Sequence, residues 1–411
     1  MDILRLSDFL SGAASKRLSA TEVDPQTSHG HEFQGSAPLR ALLGTEDREF
    51  RCRYVFLSDG ATEPFVDVGR LTWYDARAKN PNRSAEFRGY FRTELIWERA
   101  RPGDLLVLAT IRTGELVAII AEQSSGWQHF LEWLLGVPRL EQPSAWSSAD
   151  TSRAVDFVLA ADLADALGLE MPASTIQPLE EAARQVLDRE HGMQLWELLD
   201  LPTREVSRIS RTVARATQPE VQPDDPDEAL MLWMNTEEQL FRLAEKERHG
   251  EQVRRGFNDI EEFIDTALSI LNTRKSRAGH ALENHFAEIL HWHDIPFDAQ
   301  ATTEGRSKPD FLMPGASEYH DPGFPTNRLL MVAAKRTCKD RWRQILTEAD
   351  RIPVKHLLTL QSPISEHQVD EMIANGVRLI VPRSLHGAYS PSTGSLLETV
   401  GWFVDEVHEL Y

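Results

Sequence analysis

Three residues in the last third of the chain have the types and order that phosphodiester hydrolysis requires: Asp310 in "KPDFLM", Lys339 in "TCKDRW" and Glu348 in "TEAD". Two carboxylates are hard oxygen ligands suited to Mg²⁺, which neutralises a scissile phosphate, and a lysine beside them generates or orients the attacking water. In the usual arrangement the second acid stands two residues before the lysine, where strand alternation sends both side chains to one sheet face. Thr337 occupies that position. Glu348, nine residues after Lys339 and about two and a half turns into an expected helix, could supply the missing carboxylate. Glu283 could add a further one. Lys335, four residues before Lys339, either shares phosphate neutralisation or competes with Lys339 for the catalytic role.

Other reactive residues carry less. Cys52 and Cys338 lie far apart without CxxC or His/Cys spacing, which argues against a zinc site and a disulfide framework. No histidine is placed to activate Cys338 as a nucleophile. His280, His285, His291 and His293 form a dense cluster, but HExxH is absent and helical spacing scatters the four.

Elements must hold the acids and the lysine together, and the sequence supplies them. The last part alternates helices with apolar runs: "FNDIEEFIDTALSILN" with Asn258 as N-cap, "RAGHALENHFAEILHWHDI", then "KPDFLMPG", "RLLMVAAKRTC", the helix "DRWRQILTEADRI", "HLLTL", "SEHQVDEMIANG" and "VRLIVP". Alternation of this kind predicts an α/β core with an at least partly parallel sheet. Up to about Pro138 the pattern is short alternating runs ("RCRYVFLSD", "RLTWYDAR", "DLLVLATIR", "ELVAIIAEQ") with the turn "RTGE", which predicts a small β barrel or pseudobarrel. Between them lie helical stretches and the Pro- and Asp-rich loop "ATQPEVQPDDPDEA". A chain of 411 residues exceeds one comfortable core. The boundaries expected are 1–145 for an N-terminal DNA-binding effector domain, 146–195 for a helical connection, and 196–411 for the nuclease domain.

The net charge of -20 speaks at first against a nucleic-acid partner. Residues 141–270, however, hold 12 basic and 27 acidic residues, so -15 of the total sits in the middle and both ends are nearly neutral. No run of eighteen apolar residues occurs, and charges interrupt the N-terminus too early for a secretory signal, so a cytoplasmic protein without membrane association is expected.

The stretch from "TRKSRAGHALENHF" through "KPDFL", "TCKDRWRQIL" and "EAD" to "GVRLIVPRSLH" closely resembles the catalytic domain of the EcoRII family of restriction endonucleases. The resemblance implies a restriction-endonuclease-like core of the PD-(D/E)xK class, a homodimer formed through the C-terminal domain, and Mg²⁺-dependent double-strand cleavage. It also implies that the displaced glutamate follows the lysine strand. Asp310 and Glu348 then become the metal-binding acids, Lys339 the expected catalytic lysine, and Glu283 and Lys335 supporting residues. Arg277, Arg341 and Arg343 become DNA contacts, the last two suited to bidentate reading of guanine. "KRLSATE", from Lys16 and Arg17, and the following His29 or His31 resemble the start of the family's B3-like effector domain. "WYDARAKNPNRSAEFRGY" resembles its second DNA-contacting region, with Arg77, Lys79, Arg83 and Arg88.

The fold expected is therefore multidomain α+β, with a B3-like pseudobarrel and an α/β nuclease core. The function expected is a type IIE-like restriction endonuclease acting on two or more copies of a CC/GG-containing site such as CCWGG, paired with a cytosine methyltransferase. The rival readings are a defence nuclease that recognises modified DNA or a partner signal, and a DNA-binding protein without cleavage.

Overall fold

A computed structural model describes the chain except residues 1–3, 25–31, 62, 80–81, 93–97, 138–144, 170, 172–176, 306, 338–340 and 362–363. Two sheets carry the architecture. The first is a curled eight-stranded sheet of β1 (Leu10–Arg17), β2 (Glu32–Gln34), β3 (Arg48–Leu57), β4 (Phe65–Asp75), β5 (Phe87–Arg92), β6 (Leu105–Ile111), β7 (Leu116–Ala121) and β8 (Ser147–Ser148), in the order β2-β5-β4-β3-β7-β6-β1-β8. Its neighbours are antiparallel apart from β3 and β7. The "RTGE" turn joins β6 to β7, with Gly114 at φ 86, a left-handed geometry that glycine adopts without a Cβ penalty. β8 pairs with β1, and a bridge joins Arg5 to Ala154.

One face of the curled sheet encloses its own core around Trp73, Tyr54, Phe33 and Phe91. The other face continues without a break into the rest of the molecule. Val107, Ile119, α1 (Gly126–Leu134) and α2 (Phe157–Leu167) belong to one hydrophobic cluster that also holds α3 (Gln177–His191), α4 (Thr203–Thr217), α5 (Pro226–Arg255), α6 (Ile260–Trp292) and the second sheet. Among the described residues no helix is long and apolar enough to cross a membrane.

The second sheet orders as β13 (Val377–Ile380), β12 (Lys355–Leu358), β11 (Leu330–Ala334), β10 (Phe311–Met313) and β9 (Asp298–Ala299). β11, β12 and β13 run parallel while β9, β10 and β11 are antiparallel. This is the partly parallel sheet that the alternation of elements predicts. β10 and β11 are buried along their whole length, as expected of strands covered on both faces. α6 packs one face through Phe286, whose ring meets Phe311 of β10 edge-on at 5.1 Å and, after α8 (Glu366–Ala374) in chain order, Phe403 of α9 (Val400–Leu410) at 5.9 Å.

Two helical expectations change. The two helices expected on either side of "TRKS" are one, α6, of 33 residues. Its N-cap is Asp259, accepting from Glu262 N at 2.7 Å, while Asn258 donates to the Glu262 carboxylate. The helix expected over "DRWRQILTEADRI" is the single turn α7 (Trp342–Ile345) followed by turns. Its continuation fails because Ala349 takes φ 50 and the buried Lys355 ammonium draws in the Glu348 and Ala349 carbonyls, the latter at 2.7 Å. A left-handed residue interrupts the helical ladder.

Phe286 joins α6, β10 and α9 at zero exposure. Phe286→Ala should therefore lower unfolding stability by about 3–5 kcal/mol, measured by urea denaturation followed by circular dichroism.

Candidate active site

The site forms where β10 and β11 lie side by side. Asp310 stands immediately before β10 and is buried. Its Oδ2 accepts from Ala334 N at 2.8 Å and from Lys335 Nζ at 2.6 Å, and its Oδ1 accepts from Gln300 Nε2 at 2.7 Å. Charge-assisted bonds of this kind fix the carboxylate's plane. Lys335 directly follows β11, and its backbone N–H is tied to Leu358 of β12 at 2.9 Å. The lysine brought to Asp310 is thus Lys335. Lys339, the expected catalytic lysine, lies outside the described residues.

Glu348 arrives from the turn after α7 rather than from a helix. Burial, and secondly the charge of Asp310, push its carboxyl up to about 6. Glu283, on α6, is raised for the same two reasons in the same order. His280 stands 3.8 Å from it. Three acids therefore share a half-buried space with one ammonium in direct contact, a surplus of hard negative oxygen that suits a divalent cation. Among the described residues no three His, Cys, Asp or Glu side chains already stand close enough to ligate an ion. The donor chemistry fits the group and the set is open.

Two residues of this site escaped the sequence reading. Gln300 is an amide ten positions before Asp310 and belongs to none of the motifs. Arg336, next to Lys335, is almost fully enclosed, with its guanidinium 2.6 Å from Asp162 of α2 and 3.2 Å from Glu238 of α5. Glu238 also binds Arg242 at 2.7 Å, Arg242 binds Asp165 at 2.7 Å, and Arg274 binds Asp165 and Glu245 at 3.2 and 2.7 Å. A continuous web of charge thus runs from the loop after β11 to α2, beside the first sheet. The adjacency of Lys335 and Arg336 in a basic run was visible, but their opposite directions were not.

The predicted DNA contacts divide. Arg341 is exposed beside the site, and Arg343 binds Glu371 at 2.7 Å while stacking over Trp342. Arg277 is buried, donates to the Leu198 carbonyl at 3.0 Å and stands over the Phe241 ring, so it is a packing residue here, not a surface one. Lys16 is likewise buried in a 2.6 Å pair with Glu22, and Arg17, on the opposite face of β1, binds Glu132 at 2.7 Å. In the single chain Arg277 and Lys16 are thus both occupied by partners of their own chain. Arg77 pairs with Glu86, and Arg88 with Glu32 at 2.9 Å and Glu86 at 2.8 Å. Lys79 and Arg83 are exposed at that end of the β4–β5 hairpin. His29 and His31 lie outside the described residues.

Residues 241–404 match the family model described as EcoRII C terminal. The type II restriction enzyme EcoRII of Escherichia coli is 48% identical over 188 residues, which are 46% of this chain and 46% of that enzyme. The type II restriction enzyme SsoII of Shigella sonnei is 29% identical over 119 residues, 26% of this chain and 38% of the enzyme. The match therefore spans less than half the length of either relative. A solved structure of metal-depleted Ecl18kI in complex with uncleaved, modified DNA is a distant likeness, with TM-score 0.39 at 18% identity over 56% of this chain and 84% of that one.

Because the folded pKa of Glu348 exceeds its usual 4.5, ionising it disfavours the fold, and that penalty grows as pH rises through about 6 and vanishes at pH 4. Glu348→Gln should raise the thermal midpoint of the metal-free protein at pH 8, by the equivalent of about 1 kcal/mol after solvent screening, and leave it unchanged at pH 4. Scanning calorimetry at both pH values measures this.

Proposed function

We propose that the chain, whose residues 241–404 carry an EcoRII C-terminal domain, is a type II restriction endonuclease of the IIE kind. The observation that carries the reading is the Asp310–Lys335 contact at 2.6 Å with Glu348 in electrostatic reach, inside a segment nearly half identical to EcoRII. Asp310 and Glu348 would hold Mg²⁺, with Glu283 in support, and the bound cation supplies neutralisation of the scissile phosphate and acidification of water.

The chain's own residues do the remainder. Gln300 and the Ala334 amide keep Asp310 oriented whether or not Lys335 leaves it for a phosphate oxygen. Lys335, about a quarter exposed, can swing that short distance and place its charge where negative charge grows in the transition state. Glu348, whose carboxyl is pushed up to about 6, is penalised as an anion beside Asp310, and arriving positive charge relieves that penalty. In-line attack by water leaves a 5′-phosphate. Arg341 and Arg343 follow the lysine loop and are the groups offered to bases of a CC/GG-containing target such as CCWGG.

The division 1–145, 146–195 and 196–411 stands as the proposed domain plan. In it the curled sheet is the B3-like effector that takes a second DNA copy, with Lys79 and Arg83 already presented. Arg77 and Arg88 are released from Glu86 and Glu32 when phosphate competes. The protein acts in the cytoplasm as a homodimer in phage defence, beside a cytosine methyltransferase. The Asp162–Arg336 pair supports autoinhibition, because it ties the lysine loop to a helix that packs on the effector sheet.

The test is a digest of plasmid DNA with Mg²⁺. Wild type should make double-strand breaks, Lys335→Ala should lose at least about a thousandfold in rate, and intact plasmid with wild type would end the nuclease reading. On single-site DNA, Asp162→Asn should cut several-fold faster than wild type, because it loosens the lysine loop while leaving Glu238 to satisfy Arg336. This change is gentler than deleting residues 1–195, which would strip α2 and α3 from the shared core. Equal or slower cutting by Asp162→Asn would remove the autoinhibitory role of the pair.

A further inference from the structure

Asp310 is gripped directly by three donors, but among the described residues no hydrogen bond or ion pair holds the Glu348 carboxylate. That side chain is free for a ligand, so its backbone alone decides where it points. The backbone there belongs to no helix: α7 has ended, and Ala349, the next residue, is left-handed at φ 50. A left-handed alanine is strained and persists only where its surroundings over-determine it. Side chains from other segments do so here. The Ser307 hydroxyl donates to the Thr347 carbonyl at 3.3 Å, and the Lys355 ammonium takes the next two carbonyls, those of Glu348 and Ala349. The Ala349 N–H reaches the Thr303 hydroxyl at 3.4 Å, the Asp350 N–H the Glu304 carboxylate at 3.1 Å, and the Arg351 N–H the Tyr319 hydroxyl at 3.2 Å. Tyr319 in turn donates to Glu304. Each residue from Thr347 to Arg351 is thus tied through its backbone to a side chain that follows β9, sits on the short helix Ala316–His320, or opens β12.

We infer that Glu304 and Lys355 are positioning residues for Glu348: they replace the missing helix and, through the backbone of residues 348–350, aim its carboxylate at the cation that Asp310 would share. The two carry the charged, and therefore the stronger, bonds of the set. Lys355 is buried and binds two consecutive carbonyls, while Glu304 joins the Asp350 amide to the buried Tyr319. Burial lowers the pKa of Lys355, and Asp350, Glu304 and Glu348 oppose that loss. Burial and the Asp310 charge push the Glu348 carboxyl up to about 6, and Lys335 and Lys355 oppose that rise. The ammonium that fixes the backbone therefore also favours the ionised side chain. One strand serves both halves of the site, since β12 holds the Lys335 amide through the Leu358 carbonyl and the Glu348 turn through Lys355.

The inference rests on Asp310 and Glu348 as cation ligands, and its main test needs no catalysis. Mn²⁺ is titrated into the metal-free full chain and the free ion is read by electron paramagnetic resonance. Glu304→Ala should weaken Mn²⁺ binding about tenfold, and Lys355→Met by up to about a hundredfold, the range over which residues that orient a metal ligand act. Circular dichroism of Glu304→Ala should be unchanged, because this side chain is only half-buried. Glu304→Gln keeps an oxygen for the Asp350 amide and should bind as wild type does. In a Glu348→Gln background, Glu304→Ala should cost nothing further, because it acts only through Glu348. In plasmid digests Glu304→Ala should need about ten times more Mg²⁺ for half-maximal rate and approach the wild-type rate at saturation. Wild-type affinity in Glu304→Ala or Lys355→Met, an equal loss in Glu304→Gln, full additivity with Glu348→Gln, or a wild type that takes up no Mn²⁺ would each overturn the assignment. A wild type that binds Mn²⁺ and responds to Glu304→Ala, yet leaves plasmid whole, would overturn only the nuclease reading.

Discussion

Everything in the second half of the molecule is arranged around one buried carboxylate. Asp310 is placed at the start of an interior strand where burial would be costly for an isolated anion, and it persists because three donors from two segments meet it: the Gln300 side-chain amide before the strand, and, from the end of β11, the Ala334 backbone amide and the Lys335 ammonium. Each donor requires an element to be in register. The Ala334 amide is available because β11 runs on past Val332, the last residue it pairs with β10, and Lys335 is aimed with its own amide bonded to Leu358 of β12. The sheet is thus a device for collecting donors at one oxygen pair, and the apolar contacts of Phe286, Phe311 and Phe403 hold that device on α6, which also carries Glu283.

The same loop has a second attachment of opposite sense. Lys335 reaches toward the acids of the site, and Arg336, one residue on, reaches away into Asp162 and Glu238. Breaking one member of an enclosed ion pair leaves an uncompensated charge, which is far more costly than losing a surface pair. The position of the lysine loop is therefore linked to the position of α2, and α2 shares its apolar face with β6, β7 and α1 of the first sheet. The unbroken hydrophobic cluster makes the first and second sheets one mechanical object, with the lysine loop on the boundary.

Periodicity and composition made much of this legible. The alternation of apolar strands and helices after residue 300 predicts the partly parallel sheet, and the short runs before Pro138 with "RTGE" predict the β-rich first unit. Asp310 and Glu348 were readable as a pair of acids around a lysine strand. What sequence could not supply was direction. "AKRTCK" offers four basic or reactive side chains in six positions, and only the strand's end point, at Ala334, decides which of them faces Asp310. The helix expected to deliver Glu348 does not continue past its single turn, because Lys355 of the next strand takes the Glu348 and Ala349 carbonyls and Ala349 is left-handed. Arg277 and Lys16 look like surface cations in sequence, whereas the fold buries them against a carbonyl and a carboxylate partner.

The long helix α6 shows how far such non-local terms reach. Its C-terminal half is amphipathic against the sheet, through Leu282, Phe286, Ile289 and Leu290, and its N-terminal half repeats the same spacing with Ile260, Phe263, Ile264, Leu268 and Leu271 exposed. Two apolar stripes on one helix would normally be two helices packed on one core, which is what the local pattern suggests around "TRKS". One continuous helix instead carries the first stripe past the Arg274 web and away from the sheet. Because the web includes Asp165 on α2 and, through Arg242 and Glu238, Arg336, the point where α6 leaves the core and the attachment of the lysine loop share one set of charges.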